Sequence, residues 1–345
     1  MNHLLRALCV VSTVLALGTT PGHSQDFYKG KTVTIISGGS GGYDAYTRVL
    51  SRHMKNHIPG EPTMVVKGMP AASSMVAANH IYNVAEPDGL TIGGVLRQIA
   101  LAPLMGDPAV MYQADKFVWL GTSSSYLDDT NMLWVRKELG IKTIDDLRAM
   151  KKPLQIGSTG RTSTGDEGSR VIAQVLGLNI KIIRGYDTSP AIMLAMERGE
   201  LDATMIGVSS LSSTKPEWLK PDGPVTPLLQ FGYGGAGRHP LMPNVPKIDE
   251  LVSKPEDKAV FYLLQVPFKL ARPFLAPPGL PADKAAILKT AFMNTHQDPN
   301  YLEEAKKMNL DVSPLTGDEV VQLIRDAEAL PKSLVDRYQE ILKVE

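Results

Sequence analysis

The sequence predicts an α/β fold with about two domains, and three observations support this prediction. The chain has 345 residues, and soluble domains commonly have roughly 150 residues each. From Thr32 onwards, short apolar runs alternate with amphipathic stretches of helical length, a pattern that is typical of βα units. Hydrophobic residues make up 43% of the chain, a share that excludes a disordered protein.

The charge balance and the cysteine count exclude several classes of protein. The chain has 36 Lys+Arg and 36 Asp+Glu, so there is no basic excess for general nucleic-acid binding and we expect no nucleic-acid partner. Its single cysteine, Cys9, cannot form an internal disulfide or a cysteine-rich zinc site. No apolar run reaches the roughly 18 residues that a membrane-spanning helix needs.

Residues 1–24 have the pattern of a secretory signal peptide. Arg6 precedes an apolar stretch at residues 7–17, and small residues lead to a cleavage site near Ser24. The apolar stretch is too short for a membrane anchor. We therefore expect an exported protein. Loss of Arg6 and Cys9 would leave 35 basic and 36 acidic side chains and no thiol.

The first series of elements begins at a β-branched run, residues 32–36, which predicts a buried strand. After a glycine-rich loop, apolar residues recur at helical spacing from Tyr46 to Met54. The short apolar run 64–66 predicts a second strand, and residues 74–84 predict a helix. A turn at Asp88-Gly89 then precedes a strand at 90–92.

The second series begins at the apolar run 132–135. A capping-box pattern at Thr143 and Asp146 opens a short helix, and Ser189 is predicted as the N-cap of another helix. Because strands alternate with helices, we expect parallel sheets. The remaining strands are predicted at 154–157, 180–183, 202–206 and 225–231. The remaining helices are predicted at 166–176, 190–199, 281–294, 299–308 and 331–342. A further helix is predicted to begin at the capping box of Thr316 and Glu319.

Three strand-to-helix loops are the candidate ligand sites. They are Ser37-Gly-Gly-Ser-Gly-Gly-Tyr-Asp44, the serine- and threonine-rich loop 157–166, and the loop 185–190. Exposed backbone N–H groups and a helix N-terminus can hold an anion, and hydroxyls add donors. Open α/β sheets bind ligands at such strand ends. Each loop is also compatible with an ordinary polar turn that caps its helix.

Other motifs are weaker. The first loop lacks the lysine of a phosphate-binding P-loop, and Asp44 stands where a dinucleotide site needs its third glycine. Residues 38–42 match the Gly-x-Ser-x-Gly elbow, which would make Ser40 a nucleophile, but no partner histidine and aspartate can be identified. His53 and His57 have zinc-ligand spacing without a third ligand. Ser212 and Lys215 have only the bare Ser-x-x-Lys spacing. We expect no catalytic residues, no metal and no cofactor.

The order of segments resembles the tripartite tricarboxylate transporter solute receptors, also called Bug receptors. The resemblance covers nearly the whole mature chain. It is carried by Gly-Gly-Tyr-Asp44, Pro87-Asp-Gly-Leu-Thr-Ile92, Gly157-Ser-Thr-Gly160, Gly185-Tyr186, Ala195-Met-Glu-Arg-Gly-Glu-Leu-Asp202, Pro243-Asn-Val-Pro246 and Arg272-Pro-Phe-Leu-Ala-Pro-Pro-Gly279.

The resemblance implies a two-lobe, type II periplasmic binding protein-like fold with a hinge and an interlobe ligand cleft. Lobe 1 would comprise residues 25–128 plus 262–345, and lobe 2 residues 129–261. The receptor would be a monomer that captures a small organic acid in the periplasm and delivers it to the permease subunits of a membrane transporter. The implied ligand contacts are Gly41, Gly42, Tyr43, Asp44, Ser158, Thr159, Tyr186, Thr188 and Ser189.

The sequence departs from the family pattern in two loops. Ser40 stands where the family usually has proline. A further loop, residues 70–74, is rich in glycine in the family but ends here in Ser73 and Ser74. These serines add hydroxyl donors, so we include them in the site. Arg161 is included as a candidate counter-ion, and Arg97 and Arg184 are further candidates. The ligand is open among several classes of carboxylate, and an exported enzyme acting on a small carboxylate is the alternative function.

Overall fold

The computed structural model describes residues 27–39, 42–106, 108–125, 130–160, 163–231 and 237–343. The predicted signal peptide and Ser40 lie outside these residues. In chain order the strands are β1 (Thr32–Ser37), β2 (Thr63–Gly68), β3 (Thr91–Gly94), β4 (Val118–Thr122), β5 (Asn131–Arg136), β6 (Leu154–Gly157), β7 (Ile180–Ile183), β8 (Ala203–Gly207), β9 (Val225–Gln230), β10 (Pro273–Ala276) and β11 (Leu315–Thr316).

The α-helices alternate with these strands over much of the chain. They are α1 (Gly42–Met54), α2 (Met75–Asn83), α3 (Ile144–Arg148), α4 (Thr164–Leu176), α5 (Ser189–Glu197), α6 (Val208–Thr214), α7 (Pro255–Lys269), α8 (Ala282–Thr295), α9 (Pro299–Lys307), α10 (Gly317–Glu328) and α11 (Lys332–Lys343). None of the helices in the described ranges is both long and apolar enough to cross a membrane.

The strands form two sheets. The first has the order β11-β4-β10-β3-β1-β2 and the second β7-β6-β8-β5-β9. We refer to the first sheet and the helices on it as lobe 1, and to the second sheet and its helices as lobe 2. The two sheets, each with helices against it, confirm the predicted α/β class.

The prediction of parallel sheets is only partly correct. Strands β1, β2 and β3 are parallel to one another, as are β6, β7 and β8. However, β10 runs antiparallel to β3 and β4, and β5 runs antiparallel to β8 and β9. β5 and β10 are each the first strand in their sheet after the chain has crossed from the other sheet, and β11 is also antiparallel to its neighbour β4. The alternation of strands and helices does not reveal such a crossing.

Two crossing segments join the sheets and hydrogen-bond to each other. The first leaves β4 for β5, and the second leads from α7 into β10. The backbone N–H of Ser123 donates to the carbonyl of Arg272 (2.9 Å), and the backbone N–H of Arg272 donates to Thr122 Oγ1 (2.9 Å). These bonds lie at the end of the first sheet that faces lobe 2.

The hydrophobic core has three parts. One apolar cluster, which includes Val33 and Phe292, lies within lobe 1. A second, which includes Trp134 and Ile192, lies within lobe 2. The third spans both lobes through Phe261 and other residues of α7, which packs against α4, α10 and α11. The apolar cluster through α7 therefore joins the two sheets on the side of the core.

Candidate functional site

A cavity of about 190 Å³ lies at the carboxyl ends of β6 and β8. Helices α4, α5 and α6 all begin beside it. Its lining combines hydroxyls, glycines, a few apolar side chains and one residue from lobe 1: Arg97, Asn131, Gly157, Ser158, Thr159, Ser163, Gly165, Ser189, Ile192, Thr204, Met205, Ile206, Gly207 and Ser210. Among the described residues that line it, none is acidic and Arg97 is the one cation.

The loop before α4 is held by its own hydroxyls. Ser158 Oγ accepts from the backbone N–H of Gly160 (3.1 Å) and lies 3.0 Å from Ser163 Oγ. Ser163 is the N-cap of α4 and accepts from the backbone N–H of Asp166. Ser158 is almost fully buried, whereas Thr159 is exposed. Of the two predicted contacts, Ser158 therefore holds the loop in place with its hydroxyl, and Thr159 places its hydroxyl at the rim of the cavity.

The start of α5 contributes Ser189 to the cavity. The N-cap is Thr188, whose side chain accepts from the backbone N–H of Ala191 (3.4 Å), so the prediction of Ser189 as N-cap was wrong by one residue. The reason is that Ser189 already has helical geometry, with Pro190 after it. Tyr186 packs against the Trp134 cluster. Of the predicted contacts on this loop, the structure brings only Ser189 to the cavity.

An ion-pair network stabilises the first turn of α4. Asp166 is fully buried and pairs with Arg170 (2.7 Å) and with Arg184 (2.6 Å). Arg184, a candidate counter-ion for the ligand, is therefore engaged by a protein carboxylate. Arg161 lies outside the described residues. Arg97 is the candidate counter-ion that the structure brings to the cavity.

Arg97 reaches the cavity from lobe 1. It begins a short 3-10 turn, Arg97–Ala100, that follows β3. Its guanidinium carbon lies 3.9 Å from the centroid of the Phe268 ring on α7, a distance at which a cation is attracted to the ring face. The stacking restricts the long side chain and directs its charge towards lobe 2.

The glycine-rich loop of lobe 1 leads into α1. Ser37 Oγ donates to Asp44 (2.8 Å), and Arg48 Nε donates to the other carboxylate oxygen (2.6 Å). Burial acts to raise the pKa of Asp44, but the hydrogen bonds from Arg48 and Ser37 outweigh it and hold the pKa below its usual value. Asp44 is thus ionised and paired inside its own loop.

An arginine that the sequence did not point to lies beside this loop. The guanidinium carbon of Arg272 is 4.2 Å from the ring centroid of Tyr43 and 5.0 Å from that of Tyr46. A Cβ on Gly42 would lie 3.8 Å from Arg272 Nη2. Gly42, Tyr43 and Asp44 are close together at the start of α1, but they are not among the residues that line the cavity. Gly41 lies outside the described residues.

The second serine-rich loop has a structural role in this conformation. Ser74 is buried with φ 71°, and its Oγ accepts from the backbone N–H of Leu96 (2.9 Å). A Cβ on Gly38 would lie only 2.6 Å from this oxygen, so the two loops are in close contact. The structure does not bring Ser74 to the cavity, and the Ser73 side chain lies outside what the structure describes.

The histidines of the zinc-spacing motif and the lysine of the Ser-x-x-Lys motif each pair with a carboxylate of the protein. His53 Nε2 lies 2.6 Å from Glu304, and His57 Nε2 lies 3.0 Å from Asp298, so the two histidines face different carboxylates. Lys215 pairs with Glu197 (2.7 Å). Within the described part of the chain, no group of three His, Cys, Asp or Glu residues could hold a metal ion.

Comparison with known proteins gives the family and the fold. Residues 47–339 match the model of the tripartite tricarboxylate transporter family receptors. A search of curated protein sequences found no match.

Three solved structures illustrate the similarity. A TctC solute-binding protein from Polaromonas is 15% identical with a TM-score of 0.67, covering 90% of this chain and 99% of that chain. The periplasmic binding protein BugD is 17% identical with a TM-score of 0.60, covering 92% and 98%. MatC from Rhodopseudomonas palustris, with bound malate, is 18% identical with a TM-score of 0.57, covering 91% and 99%.

These structures confirm the predicted fold, the two-lobe periplasmic binding protein-like fold with an interlobe cleft. The family model confirms the resemblance that the sequence motifs carried. Because that model matches most of the chain, the protein belongs to the receptors of the tripartite tricarboxylate transporter family.

Proposed function

We propose that this protein is an exported receptor that binds a small organic carboxylate in the cleft between its lobes. The observation that carries the proposal is the cavity lining. Hydroxyls, glycines at helix starts and Arg97 surround it, and no acidic side chain is present among the described lining residues. Helix N-termini and convergent donors favour an anion without a large positive charge. The malate bound to MatC, a structural relative, agrees with this ligand class.

The carboxylate would bind first to lobe 2, where Thr159 and Ser189 line the cavity at two helix starts. Arg97 would approach from lobe 1, together with the loop at Gly42, Tyr43 and Asp44. A ligand that contacts both lobes only in the closed form shifts a pre-existing equilibrium towards closure. The other predicted contacts would complete or support this surface. They are Gly41, Ser73, Ser74, Ser158, Arg161, Tyr186 and Thr188.

Export and delivery complete the proposal. Cleavage near Ser24 would release a periplasmic monomer, and its closed form would be recognised by the permease subunits of a tripartite tricarboxylate transporter. The predicted lobe limits would change slightly, because the boundary between residues 261 and 262 falls inside α7 (Pro255–Lys269). We place that boundary after α7, where the chain enters β10.

A carboxylate panel measured by calorimetry and thermal shift tests the function. A ligand at 100 times its Kd should stabilise the protein by about 2.7 kcal/mol. Ser189→Ala should weaken binding about tenfold or more, since a hydrogen bond from its hydroxyl to the ionised carboxylate is lost. Ser212→Ala is the matched control, because Ser212 is exposed and does not line the cavity. Absence of binding to every acid, or steady product formation, would contradict the proposal.

A further inference from the structure

One hydroxyl of the cavity lining has no hydrogen-bond partner. Thr204 lies in β8 with its side chain fully buried, and its Oγ1 atom is unpartnered. Thr204 is also among the residues that line the cavity. Buried polar atoms in folded proteins are nearly always hydrogen-bonded, so an exception at a binding site needs an explanation. A bound ligand that reaches this atom would supply the missing partner.

The direction of neighbouring side chains places the hydroxyl on the α5 face of the sheet. Met205 points towards α4, because its sulfur would lie 2.3 Å from a Cβ on Gly168. Side chains alternate along a strand, so Thr204 and Ile206 point to the opposite face, towards α5. Ile206 belongs to the same apolar cluster as Ile192 of α5, and Ile192 lines the cavity.

The strand beside Thr204 has a glycine at the paired position, and apolar side chains pack closely against it. Gly157 of β6 is the register partner of Thr204. A Cβ on Gly157 would lie 2.7 Å from Ile192 and 2.5 Å from Leu201, so a side chain at this position would collide with the residues around the cavity. Glycine at 157 therefore lets Leu201 and Ile192, which lines the cavity, pack directly against β6 beside Thr204.

The lining indicates which ligand group would meet Thr204. A carboxylate needs several donors at once, and the helix starts at Ser163 and Ser189 offer them at the rim. A single hydroxyl suits a neutral oxygen. An ammonium group is disfavoured, because the described lining residues include no acidic side chain and do include Arg97.

We propose that Thr204 is a specificity-determining residue that hydrogen-bonds a hydroxyl substituent of the carboxylate ligand, so that the receptor selects hydroxycarboxylates over their deoxy analogues. This proposal rests on the proposed function. A site built to bond a substrate hydroxyl rejects the analogue that lacks it, because the buried protein group then stays unpaired.

Three pairs of acids that differ by one hydroxyl test the selectivity: lactate and propionate, malate and succinate, citrate and tricarballylate. Calorimetry with wild-type protein should show at least a tenfold preference for the hydroxy acid in one pair. Thr204→Val, which keeps the side-chain shape, should abolish that preference by weakening the hydroxy acid about tenfold or more. Thr204→Ser keeps the hydroxyl and should keep the preference.

Stability of the ligand-free protein gives an independent readout. Thr204→Val replaces an unpartnered buried hydroxyl by a methyl group, so it should raise Tm by about 1–3 °C while it weakens binding. A merely structural hydroxyl would give a lower Tm and unchanged selectivity, which would overturn the proposal. Binding without discrimination in any pair would overturn the role of Thr204 alone. Failure of all six acids to bind would overturn the proposed function as well.

Discussion

Arg97 is the residue on which the charge of the site depends. It is the one cation among the described lining residues, and it comes from lobe 1 while the rest of the lining comes from lobe 2. Its stacking on Phe268 restricts the guanidinium before a ligand arrives. Arg184 cannot substitute for it, because Asp166 already holds Arg184. We therefore propose Arg97 as the counter-ion of the ligand and as a contact that favours closure.

Replacement of this charge should weaken binding strongly. Arg97→Gln should raise the Kd of a carboxylate about tenfold to a hundredfold, since a hydrogen bond to a charged group contributes about 1.5–3 kcal/mol. Arg97→Lys keeps the charge and should recover part of the affinity, although it lacks the fork geometry. Isothermal titration calorimetry measures both. Arg325→Gln, on the exposed surface of α10, should bind as wild type, and equal affinity of wild type and Arg97→Gln would reject this role.

Part of the site could be predicted from sequence, and the rest could not, for a physical reason. Thr159 and Ser189 each stand between a strand and the helix that follows it, where open α/β sheets bind ligands, and the structure brings both to the cavity. Arg97 was recognisable only as one of several cations, because the sequence does not show which arginine faces a carboxylate. Thr204 sits inside a strand, and its missing hydrogen bond depends on tertiary contacts.

At the scale of elements, local signals were the most reliable. Both capping boxes, Thr143 with Asp146 and Thr316 with Glu319, are present in the structure. Strands β4, β10 and β11 and helices α6 and α7 were not predicted. β4 is short and includes Gly121, and α7 carries Pro267 inside it. These elements form because neighbouring strands and the core between the lobes hold them, not because of local propensity.

The first turn of α4 couples the stability of the protein to pH. Burial raises the pKa of Glu167 to about 7, the charges of Arg97 and Arg170 oppose this shift, and the charge of Asp166 adds to it. The unfolded chain has the ordinary value of 4.5. Between these two values the native state binds more protons. The contribution of Glu167 to stability is therefore fully present below pH 4.5 and is lost as the pH rises to about 7.

Glu167→Gln should remove this dependence. The free energy of unfolding, measured with urea from pH 4.5 to 7.5, should fall less with rising pH in the variant than in wild type. His296 changes the stability in the opposite direction with pH, because burial lowers its pKa to about 4, although the hydrogen bond to Phe292 acts to raise it. The effect of Glu167 is therefore given by the difference between the curves of the variant and wild type. Glu340→Gln, exposed on α11, is the control. Parallel curves for Glu167→Gln and wild type would exclude the coupling.

At the scale of the whole molecule, the lobes are linked more closely than two separate domains would be. The core cluster through α7 continues from one sheet to the other, and α11 packs against α4 of lobe 2 as well as against α7. The prediction of two α/β units was sound because repeated strand-helix patterns report on each unit. The strand-helix pattern alone does not show the crossings, since the hydrogen bond between Ser123 and Arg272 joins distant parts of the chain. They were expected only from the lobe limits that the family resemblance implies.

The charge of the whole molecule sets how ligands arrive. Basic and acidic side chains are equal in number over the full chain, 36 of each, and the proposed cleavage near Ser24 would remove Arg6 and leave the balance close to zero. A molecule without a large net field cannot steer an anion over long distances. Attraction must come from Arg97 and from the helix starts around the cavity, which act over a few ångströms and are partly shielded from salt.

The association rate of a carboxylate should therefore depend only weakly on ionic strength. Between about 20 and 300 mM NaCl we expect less than about a threefold change, because the Debye length at physiological salt, about 8 Å, already exceeds the reach of these local groups. Stopped-flow fluorescence, with NaCl as the varied component at constant pH, measures the rate. Arg97→Gln should lose most of the remaining salt dependence. A decrease of tenfold or more in wild type would mean that exposed cations outside the cavity attract the ligand.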